Sequence, residues 1–178
     1  DTEENWSVVD ALRQQPLTAA NLELTAGRIV HAQGRIVAME SSDLWRLEGK
    51  DTFEGYLSAD GTNWLSAGVP VEIDMSNTVF AGFAIASYRA SEPAVADFDH
   101  ISGLSRSLTG ADIGKPPHAG SFEFGAEGLR VRGSGDNIWG LADQCYFASQ
   151  RREGNFKVEA HLAQLNSADP ETKAVLMV

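Results

Sequence analysis

Thr52-Phe-Glu-Gly-Tyr-Leu-Ser-Ala-Asp60-Gly61-Thr-Asn-Trp64-Leu65 is the stretch that decides the fold. Asp-Gly supplies the positive backbone φ angles that a tight reversal demands, and aromatic-rich runs with period-two alternation flank it on both sides. That is the grammar of an antiparallel hairpin. Upstream, Asp43-Leu-Trp-Arg-Leu-Glu48 alternates cleanly, and Arg28–His31 and Arg35–Met39 are short β-branched runs divided by Gly34. Downstream come Val69–Met75, Val79–Tyr88 and Ala94–Ile101. The Gly- and Ala-rich Val79–Tyr88 run reads as a central strand covered on both faces, because it shows no polar phase.

Residues 102–120 are rich in Gly, Ser and Pro and carry no periodicity, so they read as a linker, with its body at 104–120. Strands resume at Gly120–Phe124, Leu129–Arg132, Gln144–Gln150, Asn155–Leu165 and Lys173–Val178. Residues 1–20 stand apart: Trp6, Val9 and Leu12 have loose helical spacing that Pro16 would end. Many short strands separated by turn signals predict an all-β, antiparallel sandwich of the concanavalin or jelly-roll kind.

Composition bounds the function classes. The chain has 178 residues and a net charge of −11, which repels a phosphate backbone, so no nucleic-acid partner is expected. Its longest apolar runs fall far short of the roughly 20 residues of a bilayer helix, so no membrane span is expected. The first residues have neither a basic nor an apolar signal-peptide segment. A lone cysteine, Cys145, excludes an intramolecular disulfide and reads as a small buried hydrophobe in an apolar strand.

At Trp45–Trp64, Ile73-Asp-Met75, Val79–Ser87 and Ala96-Asp-Phe-Asp-His-Ile101 the sequence resembles the C-terminal half of a bacterial extracellular concanavalin A-like/laminin-G-like module, the one appended to β-xylosidases. Asp112-Ile-Gly114, Gly133-Ser-Gly-Asp-Asn-Ile-Trp-Gly140, Asp143–Phe147 and Asp169–Met177 resemble the N-terminal half of the same module. The halves stand in swapped order. Residues 1–103 are the C-terminal-half-like segment, and 121–178 the N-terminal-half-like one; together they equal one sandwich. Three arrangements satisfy this order: a circular permutant, a piece of a tandem array, or completion of one chain by its neighbour, head to tail. The resemblance implies an extracellular or cell-surface location. It also implies a non-enzymatic structural or interaction role, with copies of the chain or neighbouring modules as partners.

Candidate sites follow from residue type. Trp45, Tyr56 and Trp64 would make a stacking platform for sugar rings, the basis of an alternative glycan-binding role, although in the resembling family Trp45 and Trp64 look structural. Trp139 reads as core. Asp97 and Asp99 share one strand face across Phe98, and Asp136, separately, lies in a Gly-rich turn; these are oxygen ligands of the kind a Ca²⁺ ion takes, and no other cofactor is expected. Asp60-Gly61-Thr62-Asn63 lacks the spacing of a calcium loop and reads as a hairpin turn. For catalysis there is no Gly-x-Ser-x-Gly, no His-Glu-x-x-His and no glycosidase carboxylate pattern, so no catalytic residue is expected. The four histidines, His31, His100, His118 and His161, are scattered, with no pair at metal-ligand spacing.

Overall fold

The computed structural model describes residues 28–32, 35–39, 44–49, 52–66, 70–73, 75–88, 92–138 and 142–178, and from 28 to 49 Arg46 is the one residue whose side chain is described. The expectations for residues 1–20 and for Trp139 lie outside the described residues.

The decisive stretch forms β4 (Thr52–Ser58) and β5 (Leu65–Ser66), paired antiparallel with Tyr56 opposite Ser66 and Leu57 opposite Leu65. The connection is longer than a two-residue turn because Asp60 organises it by itself. Its Oδ1 accepts the backbone N–H of Thr62 at 2.8 Å and of Asn63 at 2.7 Å, while Ser58 Oγ accepts the N–H of Gly61 at 2.9 Å. Gly61 has φ 73°, the left-handed value that Asp-Gly foretold. Asx side chains closing their own loop in this way leave no calcium geometry there.

Four shorter strands accompany this hairpin: β1 (Arg28–Ala32), β2 (Arg35–Met39), β3 (Leu44–Gly49) and β6 (Val71–Glu72). The remaining eight are β7 (Thr78–Ala86), β8 (Ala94–Ser102), β9 (Thr109–Ile113), β10 (Ser121–Phe124), β11 (Leu129–Gly133), β12 (Cys145–Glu153), β13 (Phe156–Asn166) and β14 (Lys173–Met177). They build two antiparallel sheets. The smaller runs β1-β2-β14-β7-β12-β9; the larger runs β10-β11-β8-β13-β3-β4-β5, with β6 pairing β4 beside β5. No helix occurs among the described residues. The chain is an antiparallel β-sandwich, as expected.

Strands from the two segments alternate within both sheets. β14 lies between β2 and β7, and β13 between β8 and β3. Thus β13 and β14 of 121–178 find both their neighbours in 1–103 of the same chain, and β11 and β12 find one each there. The 104–120 stretch is more than a linker, since Thr109–Ile113 forms the edge strand β9 against β12. Its glycines mislead because they serve packing. A Cβ on Gly110 would lie 1.8 Å from the Tyr146 hydroxyl, and one on Gly120 would lie 2.2 Å from the Tyr146 ring. Only the smallest residue lets the backbone pass this side chain on both flanks.

The core lies between the sheets. Phe83 of β7 and Phe98 of β8 meet across it with ring centroids 4.6 Å apart, and Phe53 packs with Phe156 at 6.1 Å. Leu57, Ile85, Leu129, Val131 and Val158 complete the same layer and are buried. The smaller sheet is buried on its other face too. Ala84, Ala86, Cys145, Phe147, Val175 and Met177 form that outward row in register, and all are buried. This explains the unbroken apolar text of β7 and β14, and it makes Cys145 the buried hydrophobe that its sequence context implied.

Candidate functional site

The larger sheet has the opposite outer face. In β13, Phe156, Val158, Ala160 and Leu162 turn to the core, whereas Lys157, Glu159 and His161 turn outward. Strand registry aligns these with polar neighbours: Arg46 and Tyr56 beside Glu159, Ser102 on its other side, and Asp99 beside His161. The outcome is a continuous polar face with three parts.

At the β4 end, Arg46 is the hub. Its Nε donates to Glu159 Oε1 at 2.6 Å, and its guanidinium carbon stands 3.9 Å over the Trp64 ring and 5.7 Å from the Tyr56 ring. Tyr56 also hydrogen-bonds Glu54. Glu159 further accepts from Lys157 Nζ at 3.0 Å and from Ser102 Oγ at 3.0 Å. Partial burial pushes its carboxyl pKa up, but the bonds from Lys157, Arg46 and Ser102 outweigh that and hold it below the usual carboxylate value. Tyr56 and Trp64, half-buried, are therefore brought together around a cation, with one indole face taken up by Arg46. The Trp45 backbone pairs with Ala160 and Leu57, two core-side positions; its side chain lies outside the described residues.

In the middle, the ladder between β8 and β13 slips. Glu159 pairs with Ser102 but His161 pairs with Asp99, so β8 carries one extra residue. His100 sits in that bulge with φ 48°, a left-handed angle that a non-glycine residue adopts at a cost. The bulge puts adjacent side chains on one side of the sheet. Asp99 Oδ1 lies 2.8 Å from His100 Nδ1 and 2.6 Å from His161 Nδ1, and the two imidazoles meet edge to face at 5.9 Å. Two of the four histidines, expected to be scattered, are thus brought together. His100 and His161 converge on Asp99, with one ligand atom of each within 4.8 Å of the others. Partial burial pushes the Asp99 carboxyl up, yet the bonds from His100 and His161 prevail and hold it below its ordinary value.

At the β10–β11 end, an open cleft of about 480 Å³ is lined by Asp97, Asp99, Glu123, Glu127, Arg130 and Gln164, among others. Asp97 faces it, but both its oxygens accept from Arg130, at 2.7 and 3.0 Å. Asp97 and Asp99 do share a face, as their alternation indicated, and are drawn to opposite neighbours. Asp136 is exposed in the turn after β11 and joins no metal-competent group among the described residues. Asp97 and Asp99 thus line one cleft, while Asp136, the separate candidate, lies apart in its turn.

Sequence reasoning missed His100 and His161. The signal present was His161 on the polar phase of an alternating strand; its meeting with Asp99, 62 residues away, came from registry. No protein-family model, curated protein or solved structure matches this chain. Function therefore rests on its own residues.

Proposed function

We propose that this chain is a non-enzymatic interaction module of a bacterial extracellular or cell-surface assembly, joining copies of itself or neighbouring modules edge to edge. The observation that carries this reading is β9. All its residues except Ile113 are exposed, and β12 is its single strand neighbour among the described residues. An edge strand presents a row of backbone donors and acceptors, which is a template for another strand. The acidic balance fits a soluble, surface-located module, and the motif resemblance points the same way. A glycosidase role fits poorly. It needs a carboxylic acid that keeps its proton near neutral pH; Asp99 is held in the opposite direction, and Arg130 occupies both oxygens of Asp97.

Sedimentation across a wide concentration range tests the proposal. Self-association is expected for the wild-type chain and lost in Ala111→Lys, which puts a charge on the edge strand. A strictly monomeric wild type, inert toward neighbouring modules, would discard it.

The alternative role in glycan binding draws on Trp64 and Tyr56, which remain half-exposed at one end of the polar face. Calorimetric titration with oligosaccharides should then give heat that Trp64→Ala abolishes; heat unchanged by the substitution removes these rings from consideration.

A further inference from the structure

From the polar face we infer that Asp99, His100 and His161 form a binding site for one divalent transition-metal ion of the zinc class. The ligand set is two imidazoles and a carboxylate, which suits Zn²⁺, Co²⁺ or Ni²⁺ and is too nitrogen-rich for Ca²⁺. The geometry is close to what such an ion needs. Ligand atoms about 2.0–2.1 Å from a tetrahedral centre lie roughly 3.3 Å from one another. The two Nδ1–Oδ1 separations are now 2.8 and 2.6 Å. Opening those two contacts by roughly half an ångström, with the two imidazole nitrogens settling toward the same spacing from their present separation of at most 4.8 Å, would replace the hydrogen bonds by metal bonds.

Three features favour that exchange. The bulge fixes the backbone of His100 so that neighbouring residues 99 and 100 aim at one point; a regular strand would send them to opposite faces. Side-chain exposure falls from 71% at His100 to 30% at Asp99 and 26% at His161, so the ion would be half-enclosed with a solvent-facing coordination position. Asp99's ion partners among the described residues are both imidazoles, and the nearby guanidinium of Arg130 is engaged by Asp97. A cation would face no committed positive charge on the carboxylate it joins, on a chain whose net charge is −11.

The test is titration of the purified chain with Co²⁺, read as visible d–d absorption, followed by competition with Zn²⁺ and with Ca²⁺. One Co²⁺ per chain is expected, displaced by Zn²⁺ and retained against Ca²⁺. Two variants carry the assignment: His100→Asn, since asparagine tolerates the left-handed backbone, and His161→Gln. Each removes an imidazole and should weaken Zn²⁺ binding on the order of 10–100-fold or more, while circular dichroism stays that of the wild type. His100 is exposed, so His100→Asn remains informative even if His161→Gln fails to fold. The inference falls if no stoichiometric Co²⁺ signal develops, if His100→Asn binds as well as wild type, or if Ca²⁺ displaces Co²⁺ as readily as Zn²⁺ does. Each readout is independent of self-association.

Discussion

The two sheets of this sandwich share a core and differ on their backs. Behind the smaller one, Ala84, Ala86, Val175, Met177 and Phe147 form a second buried apolar layer. Behind the larger one, Arg46, Glu159, His161, Asp99, Asp97 and Arg130 form a solvent-facing network of ion pairs. The lesson is that burial and chemistry have been separated by sheet. A layer buried on both sides contributes rigidity and cannot easily change its groups. The half-buried face can carry charge, a strained bulge and open coordination geometry at little cost to folding, because water screens what packing does not satisfy.

The sharpest way to break the comparison is to place the same group on each back. Val175→Asp would bury an unpaired carboxylate and should cost roughly 4 kcal/mol or more, abolishing cooperative urea unfolding. Gln164→Asp on the polar face should stay within about 0.5 kcal/mol. Similar losses for both would mean that the two faces are not different environments. Next in size is Phe83→Ala, which removes the buried ring packed at a tilt against Phe98 and should cost about 3–5 kcal/mol in the same assay. Gly120→Val asks whether the glycine-rich 104–120 stretch is packed. Its new Cβ would collide with the Tyr146 ring, and a loss of about 1–3 kcal/mol is expected where a true linker would show none.

Acid titration sharpens the polar side. Glu159 and Asp99 are both held below their ordinary values of 4.5 and 3.8 in the folded chain. For a carboxylate depressed on folding, the stabilisation is fully present above the unfolded value and is lost as pH falls through the folded one. Thermal midpoints should therefore hold steady down to about the ordinary values and decline below them. Glu159→Gln should flatten part of that decline; an identical acid profile would remove Glu159 from the network's contribution. Arg130→Ala should move the midpoint least of all, with any difference vanishing in concentrated salt, since its pair with Asp97 is exposed.

Much of this architecture was legible beforehand. Thirteen of the fourteen strands, all but β9, fall on runs that alternation, β-branching and turn residues had already marked, because period-two patterning is dictated locally by the pleat. The double burial of β7 was written in its lack of a polar phase. β9 was not legible: Thr-Gly-Ala-Asp-Ile has little apolar content and sits among glycines whose purpose is to clear Tyr146. The hairpin survived, with its connection lengthened by the Asp60 cap.

What the sequence by itself determined was the all-β sandwich, its hairpin, its acidic character and the burial of Cys145, since each depends on residues near one another in the chain. What only the tertiary structure decided was which distant side chains meet. Asp97 and Asp99 looked like a pair and, on one face, bond different neighbours, whereas His100 and His161 looked unrelated and share one carboxylate oxygen. The physical reason is strand registry: an extra residue in β8, offset further along by an extra residue in β13, changes which side chains face one another across the ladder, and no local pattern in either strand specifies those slips.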